Sequence, residues 1–379
     1  MKKTNLKGLT QTELEEFVLS IGEKKFRGQQ LFDWLYNKEA VSFDDMSTFS
    51  KPLRSKLNET ASIDTLELIT FQKSSSDNTT KFLFQLKDGK RIESVLIPPK
   101  TAFANDEADE EENEQKRLTL CVSTQVGCPL DCAFCATGAM GFQRNLSAGE
   151  IVDQVLQTKK ISGKKITNIV FMGMGEPLMN YDSVMNSIEI MSNGLNISTR
   201  HITLSTAGWV EGIIRMADQG KKIKLAISLH SLDEETRTRL MPLNKKFNLQ
   251  QLMKAVEYYY RKIKIRVTFE YILFAGINDT EKDLKGLVKL SKTIPCKINI
   301  IPFHSIGFTN PQSFAEKLHP VPVKEVEKFA HLLRRNNVTA FIRSSSGEDI
   351  AAACGQLAVL TKHKHNNVKK NKVVELSNK

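Results

Sequence analysis

The hydrophobic pattern of the chain changes near residue 118. Before that point, three segments place apolar side chains at helical spacing and three others have the composition of strands. The predicted helices are Gln11 to Ile21, Arg27 to Asn37 and Leu53 to Leu57, the last of them beginning after Pro52. The predicted strands lie near Thr65 to Gln72, Thr80 to Leu86 and Arg91 to Ile97. Residues 1–98 are therefore predicted to form a compact accessory module.

From Leu118 onward, strands alternate with helices. The first strand, Leu118 to Thr124, precedes a helix from Ser147 to Ile161 that opens with a capping box of Ser147 and Glu150. Further strands are predicted at Ile169 to Met172, Ile202 to Ser205, Lys224 to Ser228, Arg266 to Ile272 and Lys297 to Pro302. Repeated βα units with right-handed crossovers form a parallel sheet. The predicted fold class is α/β, with a partial (β/α)6 TIM-like barrel at residues 118–357 and a small N-terminal helical plus β accessory domain.

The composition indicates a soluble protein. The 379 residues are 40% hydrophobic and 26% charged, which is ordinary for a globular chain. No run reaches the roughly eighteen apolar residues of a membrane span, and the first residues lack the apolar centre of a signal peptide. Six cysteines are too few for a disulfide scaffold in a chain of this size. We therefore expect a cytoplasmic protein with no membrane partner.

Charge is unevenly distributed along the chain. The net charge is +11, but Asp106 to Glu114 contributes seven acidic residues, so the rest of the chain carries +18. Such an excess favours a polyanionic partner such as RNA, although a basic composition can also serve solubility alone. We interpret residues 99–117 as an acidic linker and residues 358–379 as a basic flexible tail.

Three of the six cysteines lie within eight residues. Cys128, Cys132 and Cys135 have the spacing C-x3-C-x2-C on a predicted loop between a strand and a helix. Structural zinc sites and ordinary iron–sulfur clusters take four protein ligands, and no fourth cysteine or histidine follows in the next several residues. The motif therefore indicates a cluster with one open iron, where S-adenosylmethionine (SAM) can bind and be cleaved to a carbon radical. A zinc knuckle or three unrelated thiols are the alternatives.

Short motifs that carry polar side chains follow three of the predicted barrel strands. They contain Gly175 and Glu176 after the second strand, Ser205 after the third, and Ser228, Leu229 and His230 after the fourth. The active site of a (β/α) barrel forms at these C-terminal strand ends. A carboxylate, hydroxyls and an imidazole suit the ammonium, carboxylate and ribose groups of SAM. Plain strand-to-helix turns and helix capping are the alternatives.

Two further cysteines lie in chemically interesting places. Cys121 is on the first barrel strand, and Cys354 follows the last strand in a segment with acidic residues and glycines. A loop or helix start of that kind can stabilise a thiolate. A lone cysteine is more often a small buried hydrophobic residue, and Cys296 has only that interpretation. Both interpretations stay open for Cys121 and Cys354 on these grounds.

Several segments together closely resemble the RlmN family of radical-SAM RNA adenine C2-methyltransferases. They are Cys121 to Cys128, Cys135 to Gly138, Gly141 to Asn145, Phe171 to Leu178, Leu240 to Asn244 and Ala353 to Gln356. The resemblance runs from about Leu19 to about Leu357. It implies a radical-SAM barrel, a 4Fe–4S cluster and two SAM molecules per turnover. The implied substrates are an adenosine in the peptidyl-transferase centre of 23S rRNA and the adenosine beside the anticodon in tRNA.

The resemblance also implies a reaction route. One SAM methylates the thiol of Cys354, and a second SAM, bound to the cluster at Cys128, Cys132 and Cys135, yields a deoxyadenosyl radical. That radical takes a hydrogen atom from the S-methyl group, and the methylene radical adds to C2 of adenine. Glu93 stands where the family carries its proton acceptor, although an ordinary solvated strand-edge glutamate is the alternative. Cys121 then resolves the adduct and leaves a Cys121–Cys354 disulfide that must be reduced.

The implied SAM contacts are Gly175, Glu176, Ser205, Ser228, Leu229 and His230. The family usually carries Asn in a Pro-aromatic-Asn element where this chain has His304, which can still hydrogen-bond adenine or ribose. The acidic insertion and the segment from Gly307 to Pro320 also depart from the family pattern, and we expect surface loops there. Residues 1–98 are expected to bind RNA.

Two alternatives to this function stay open. A Cfr-type C8-methyltransferase of 23S rRNA shares the cluster and both extra cysteines, but the sequence Met-Gly-Glu-Pro-Leu at residues 174–178 favours C2. A non-catalytic metal-binding RNA protein leaves Cys121, Cys354 and the glycine-rich strand ends unexplained. The expected partners are 23S rRNA, tRNA and an electron donor such as flavodoxin, with the protein acting as a monomer.

Overall fold

Strands and helices alternate through most of the described chain. The structure, a computed structural model, describes residues 3–99, 117–310, 314–343 and 346–359. The strands are β1 Thr4–Asn5, β2 Ala61–Ser62, β3 Glu67–Lys73, β4 Thr80–Gln85, β5 Arg91–Ile97, β6 Thr119–Cys121, β7 Gln125–Gly127, β8 Phe142–Asn145, β9 Asn168–Phe171, β10 Ile202–Thr206, β11 Lys224–Ser228, β12 Val267–Leu273, β13 Cys296–Pro302 and β14 Ala340–Ile342. The helices are α1 Gln11–Ser20, α2 Phe26–Phe32, α3 Lys51–Thr60, α4 Ala136–Ala139, α5 Ala148–Ser162, α6 Tyr181–Asn193, α7 Val210–Asp218, α8 Glu234–Leu240, α9 Leu249–Ile263, α10 Glu281–Thr293 and α11 Val323–Arg335. The acidic run at Asp106 to Glu114 and residues 360–379 of the predicted tail lie outside the described residues.

Parallel strands form a partly open barrel at the centre of the molecule. Strand β6 pairs with β9, and β10 to β14 follow in chain order, each parallel to its neighbour. Helices α5, α6, α7, α9, α10 and α11 make the crossovers. The predicted α/β class with a partial (β/α)6 barrel is confirmed. The sequence does not predict β14, because a strand of three residues is too short to show a period.

The three predicted front strands extend the barrel sheet. Strands β3, β4 and β5 pair antiparallel with one another, and β5 pairs antiparallel with β6, with Val95 opposite Cys121. All ten strands from β14 to β3 thus belong to one sheet. The predicted module of residues 1–98 therefore shares its strands with the barrel, because β5 uses the free edge of β6.

The first barrel strand is shorter than predicted. The sequence predicts one strand from Leu118 to Thr124, but β6 ends at Cys121 and β7 begins at Gln125. The backbone N–H groups of Thr124 and Gln125 both donate to the carbonyl of Met174, at 2.8 and 3.2 Å. This pairing turns the chain away from β6 and towards the cysteine loop.

Two helix boundaries also differ from the prediction. Helix α2 changes to a π-helical turn at Asp33–Asn37, which no sequence period indicates. The third helix begins at Lys51, before the residue expected to interrupt it, and runs to Thr60. Pro52 is tolerated there because the first turn of a helix needs no intrahelical N–H bond. No described helix is long and apolar enough to cross a membrane.

The N-terminal helices pack tightly on the barrel. The ammonium of Lys7 lies 2.8 Å from Asp153 on α5, and both side chains are buried. The other oxygen of Asp153 accepts the backbone N–H of Leu66 at 2.5 Å. Gly8, at φ +102°, lies so close to Gly149 that a Cβ on Gly8 would be 2.2 Å from the Gly149 nitrogen. The front of the chain and the barrel are therefore joined by a buried charged contact.

Candidate active site

The cysteine motif forms a loop between β7 and α4. Cys128 follows β7 directly, and Cys135 is the residue before the first turn of α4. The backbone N–H of Ala133 donates to the carbonyl of Leu240 at 2.9 Å, which fixes the middle of the loop to the end of α8. Cys128, Cys132 and Cys135 are free and only partly exposed.

The electrostatics of these thiols favour a positively charged partner. Burial raises the pKa of Cys128 to about 12, and the neighbouring Cys135 adds to the effect. Burial and then the charges of Cys135 and Cys128 raise the pKa of Cys132 even further. The three thiols therefore lie close enough to repel one another once they ionise, and a bound cationic core removes that cost.

The donor set fits an iron–sulfur cluster better than a single ion. A tetrahedral zinc ion with bonds of about 2.3 Å would hold its sulfur atoms about 3.8 Å apart. Among the residues that the structure describes, no His, Cys, Asp or Glu side chains are grouped in threes where one metal ion could sit. In a cluster each thiolate binds a different iron, and a donor set made only of cysteines is the usual one for such a cluster. Cys128, Cys132 and Cys135 would hold the cluster.

The end of β9 presents a buried carboxylate. Glu176 accepts the backbone N–H of Ala207 at 2.7 Å and that of Leu178 at 3.1 Å. Burial raises the pKa of Glu176 to about 7, and these hydrogen bonds oppose the effect. Gly175, at φ +105°, lets the chain approach Gln125, because a Cβ there would be 2.6 Å from the Gln125 Cβ. A ligand ammonium group at this position would hold the carboxylate ionised.

The ends of β10 and β11 carry the predicted hydroxyls and imidazole. Ser205 and Ser228 are half-buried, and Leu229 and His230 are buried. The Nδ1 atom of His230 accepts the backbone N–H of Ile272 at 3.0 Å. Burial, with a smaller effect of Arg237, lowers the pKa of His230 to about 3. The imidazole is therefore neutral at physiological pH, and its Nε2 atom carries the hydrogen that it can donate.

Arg237 organises these strand ends, and sequence reasoning did not find it. It is buried on α8 and donates to the carbonyls of Ala207 and Ser228, at 2.8 and 3.3 Å, and to Asn244 at 2.6 Å. Burial lowers its pKa to about 10, so it stays charged. The sequence signal for the contact between Arg237 and Asn244 is the segment from Leu240 to Asn244, which is one of those that carry the family resemblance.

The structure brings Cys121 and Cys354 into one site. Cys121 is buried at the end of β6, and the N–H of Met172 donates to its sulfur. Burial and then the charge of Cys354 raise the pKa of Cys121 to about 12. Cys354 is half-buried and free in the described segment of residues 346–359, called here the Cys354 segment.

The Cys354 segment also lies against the cluster loop. The backbone N–H of Ala136 donates to the carbonyl of Gly355 at 2.7 Å, and the hydroxyl of Thr137 donates to that of Leu357 at 2.6 Å. Both donors belong to α4, which begins directly after Cys135. Cys354 is therefore fixed next to the helix that follows the three cluster cysteines.

An arginine that the sequence did not single out faces the thiol pair. The charges of Cys354, Glu270 and Cys121 all raise the pKa of Arg343, and that of Cys354 has the largest effect. The Nη1 atom of Arg343 lies 3.5 Å from Oε2 of the buried Glu270 and 3.1 Å from the sulfur of Met172. No local sequence signal predicts this, because basic residues are common throughout the chain.

Glu93 is buried beside the Cys354 segment. Its Oε2 atom accepts the backbone N–H of Ala358 at 3.0 Å, and its Oε1 atom lies 3.3 Å from the ammonium of Lys81. Burial raises the pKa of Glu93, although Lys81 and the Ala358 N–H oppose the shift. The alternative of a solvated strand-edge glutamate is wrong, because Glu93 is only 6% exposed.

His304 follows β13 and turns towards the Cys354 segment. Its Nδ1 atom lies 3.0 Å from Oε1 of Glu348, which is largely exposed. Three residues after His304, Gly307 begins a short 3-10 turn that ends at Thr309. The expected surface loop at Gly307 to Pro320 thus has local helical turns in its described part, and residues 311–313 lie outside it.

The fold and the cysteine loop define a radical SAM protein. The family model described as Radical SAM superfamily matches residues 122–288, and the one described as Ribosomal RNA large subunit methyltransferase N-terminal domain matches residues 4–63. A relative from Christiangramia forsetii, named probable dual-specificity RNA methyltransferase RlmN, is 42% identical over 94% of this chain and 97% of its own. The chain belongs to the RlmN family.

Other comparisons agree with this assignment. A relative of the same name from Salinibacter ruber is 40% identical and covers 94% of both chains. The crystal structure of a radical SAM methyltransferase from Sphaerobacter thermophilus has a TM-score of 0.80 and 37% identity, with coverage of 93% of this chain and 99% of that one. The predicted class, a SAM-dependent radical methyltransferase that uses a 4Fe–4S cluster, is confirmed.

Proposed function

We propose that this enzyme methylates C2 of an adenosine in the peptidyl-transferase centre of 23S rRNA and of the adenosine beside the anticodon in tRNA. Its relatives are named dual-specificity RNA methyltransferases. The observation that carries the thiol-dependent radical route is the proximity of two free thiols, Cys121 and Cys354, beside the cluster loop, and the choice of C2 rests on membership of the RlmN family. A methyl transfer by simple displacement would need neither of these thiols.

The residues at the strand ends would hold the cofactors. Cys128, Cys132 and Cys135 would bind the cluster, and the SAM contacts would be Gly175, Glu176, Ser205, Ser228, Leu229, His230 and His304. Glu176 suits the SAM ammonium because its buried carboxylate lacks a cationic partner among the groups that shift its pKa. When bound, the cluster and SAM supply a methyl group and a carbon radical that abstracts hydrogen.

Cys354 and Cys121 divide the covalent work. The thiol of Cys354 loses its proton as its sulfur accepts a methyl carbon, and this carbon later joins C2 of adenine. Glu93 accepts the proton that leaves C2, and the one electron that the radical addition leaves on the ring would pass to the cluster. The thiolate of Cys121 then attacks the sulfur of Cys354. The S–C bond breaks, its electron pair stays with the carbon, and the carbon takes up a proton to become the new methyl group.

The disulfide that remains requires two electrons before the next turnover. A reducing cytoplasm would provide the setting, and an electron donor such as flavodoxin would serve the cluster. We expect a monomer whose N-terminal helices and basic tail help to bind RNA. The excess of positive charge supports this view, since RNA binding is largely electrostatic.

The decisive experiment is an assay of the anaerobically reconstituted protein. A tRNA and a 23S rRNA fragment are each incubated with SAM and a reductant, digested to nucleosides and examined by mass spectrometry. The expected product in both is 2-methyladenosine. Formation of 8-methyladenosine would indicate the Cfr-type reaction, and zinc without iron and sulfide would indicate a non-catalytic metal protein. Either result would overturn the proposal.

A further inference from the structure

Side chains from two neighbouring strands hold the Cys354 segment on both sides of Cys354 in the chain. The ammonium of Lys81 on β4 donates to the carbonyl of Ala351 at 3.2 Å. The carboxylate of Glu93 on β5 accepts the N–H of Ala358 at 3.0 Å. Cys354 lies between these two anchor points in the chain. The two side chains also pair with each other, with 3.3 Å between the Lys81 ammonium and the Glu93 carboxylate.

The anchor at Ala351 stabilises an unusual backbone conformation. Ala351 has a φ of +50°, in the left-handed region that residues with a Cβ rarely adopt. Such a conformation persists only where surrounding contacts fix it. The hydrogen bond from Lys81 to the Ala351 carbonyl is one such contact. It acts three residues before Cys354, so that its loss would change the path of the chain that leads to the reactive sulfur.

The hairpin between β3 and β4 supports the same segment. One carboxylate oxygen of Asp77 accepts the N–H of Gly347 at 2.8 Å, and Asp349 accepts the N–H of Ser75 at 3.0 Å. These contacts fix the start of the segment to the turn that precedes β4. Lys81 therefore acts on a segment whose beginning is already attached to the same strand pair.

The pair of Lys81 and Glu93 is shielded from water. The exposed fractions of the two side chains are 11% and 8%. Their charges interact strongly because little solvent screens them. Burial raises the pKa of Glu93, and among the charged groups around it Lys81 opposes that rise. Neutral groups at Glu93 are the N–H of Ala358 at its carboxylate and, at its backbone, the sulfur of Met174 and the hydroxyl of Ser123.

We propose that Lys81 is a positioning residue of the reaction, which keeps Glu93 charged as proton acceptor and holds the Cys354 segment in place. The inference rests on the proposed function, in which Glu93 takes the proton from C2 of the adenine joined to Cys354. The Lys81 ammonium thus positions Glu93, the proton acceptor, and Cys354, the carbon carrier, relative to each other. When Glu93 takes up the proton, its charge is lost and its pairing with Lys81 weakens. No electron is transferred in this step.

The test compares pH profiles of single-turnover RNA methylation by the reconstituted holoenzyme. The ionised form of Glu93 is active, so activity falls as the pH drops through the Glu93 pKa. Lys81→Met removes the group that lowers this pKa, and we expect the acid limb to move to higher pH by about 1–2 units. At pH values below the shifted limb, the methylation rate of Lys81→Met is expected to be lower than that of the wild type by about tenfold or more. At basic pH the rate is expected to recover.

Two variants separate the charge of Lys81 from its hydrogen bond. Lys81→Arg keeps the charge and is expected to restore the wild-type pH profile. Lys81→Gln keeps a donor for the Ala351 carbonyl but removes the charge, and it is expected to show the same shifted limb as Lys81→Met. The Gln variant also keeps the test valid if Lys81→Met does not assemble. The matched control is Lys87→Met, at an exposed lysine paired with Asp64, which is expected to leave the profile unchanged.

A second measurement reports on the position of the segment itself. Alkylation of Cys354 in the holoenzyme, followed by mass spectrometry, is expected to be severalfold faster in Lys81→Met than in the wild type. An acid limb that stays at the wild-type pH in both neutral variants, or a Lys81→Arg variant that behaves like Lys81→Met, would overturn the inference.

The failure of this inference can be told apart from failure of the proposed function. Glu93→Gln removes the proton acceptor directly. If Glu93→Gln methylates RNA at the wild-type rate, Glu93 has no such role, and the inference falls with it. If Glu93→Gln is inactive while the neutral Lys81 variants keep the wild-type acid limb, only the role of Lys81 is wrong.

Discussion

At the residue scale, the environments of the two extra thiols separate their roles. Cys121 is buried and its pKa is raised to about 12, so at neutral pH its sulfur is almost entirely protonated. Cys354 is half-buried and is therefore more exposed than Cys121. The more accessible sulfur is therefore suited to carry carbon, and the buried sulfur is suited to act afterwards. Arg343, which lowers the pKa of Cys121, would favour its thiolate at that later step.

The carrier role of Cys354 leads to the first prediction. Cys354→Ala should abolish RNA methylation while the iron content and the reductive cleavage of SAM persist, because the proposed cluster ligands are Cys128, Cys132 and Cys135. Nucleoside mass spectrometry and assay of 5′-deoxyadenosine would measure both activities. Cys296→Ala, at a buried cysteine on β13 away from this chemistry, is the control and should methylate normally. Persistent methylation in Cys354→Ala would contradict the carrier role.

The resolving role of Cys121 leads to a different result. In Cys121→Ala the carbon should still add to the base, but no sulfur would be present to attack Cys354. Protein should therefore accumulate in covalent linkage to RNA, which a denaturing gel followed by nuclease digestion would show. Free turnover by this variant would mean that Cys121 does not resolve the adduct.

Glu176 should make stability depend on pH. Burial raises its pKa from an ordinary 4.5 to about 7, so the folded chain holds this proton more tightly than the unfolded chain. The associated stability is present at low pH and is lost as pH rises between these two values. Glu176→Gln should therefore remove this pH-dependent fall of about 3 kcal/mol in the free energy of unfolding, measured without SAM.

The same substitution should weaken SAM binding, because the amide cannot pair with an ammonium group. Denaturant unfolding of the wild type and of Glu176→Gln at acidic and basic pH would measure the first effect, and calorimetric titration with SAM the second. If the free energy of unfolding changes with pH by the same slope in both proteins, Glu176 is not the source of the pH dependence.

At the element scale, the antiparallel strands β3 to β5 connect the barrel to its reactive segment. They continue the barrel sheet beyond β6 and so place Glu93 and Lys81 beside Cys354. The segment is held from the opposite side by α4. A sheet extension on one side and the cluster helix on the other thus fix a segment that has only one short 3-10 turn of its own.

The contact between α5 and the N-terminal residues that precede α1 leads to a prediction at the scale of elements. Lys7→Met removes a buried ammonium and leaves Asp153 charged without its partner. We expect a loss of about 3–5 kcal/mol in the free energy of unfolding, because an uncompensated buried charge is costly. Lys25→Met breaks an ion pair between Glu15 and a largely exposed ammonium, and it should cost much less because solvent screens such a pair. Urea unfolding would compare them, and equal effects would contradict the importance of the buried contact.

At the scale of the whole molecule, the charge and the open barrel suit a large polyanionic substrate. The net charge of +11 is carried by a chain whose sheet ends at β14 on one side and at β3 on the other. Part of the acidic charge is concentrated in one run, Asp106 to Glu114, so the other surfaces are more basic than the total indicates. Long-range attraction of RNA is expected from such a distribution.

RNA binding should therefore weaken steeply with salt. The logarithm of the association constant for a tRNA is expected to fall linearly with the logarithm of salt concentration, by about 0.7–0.9 for each phosphate neutralised. Fluorescence anisotropy of labelled tRNA over a range of potassium chloride concentrations would give the slope. An affinity that does not change with salt would exclude electrostatic attraction as the main source of binding.

Much of the site could be predicted because its signals are local. The three cluster cysteines occupy eight residues, and Gly175, Glu176, Ser205 and Ser228 to His230 each follow a recognisable strand. The boundaries of short elements were less predictable, as β6, β14 and the helix at Lys51 show. A tertiary hydrogen bond decided the end of β6, a tolerated proline allowed the helix to begin at Lys51, and β14 is too short to show a period.

The sequence by itself determined the cluster motif, the α/β order of the elements and, through resemblance, the family. These follow from spacing and periodicity within short stretches of chain, which folding does not alter. The resemblance already implied that Cys121 pairs with Cys354, but only the tertiary structure decided that Glu93 is buried against Ala358 and that Lys81 and Arg343 supply the nearby charges. Such contacts join residues far apart in sequence, and the energy of a buried charge depends on its neighbours and solvent exclusion, for which no local pattern exists.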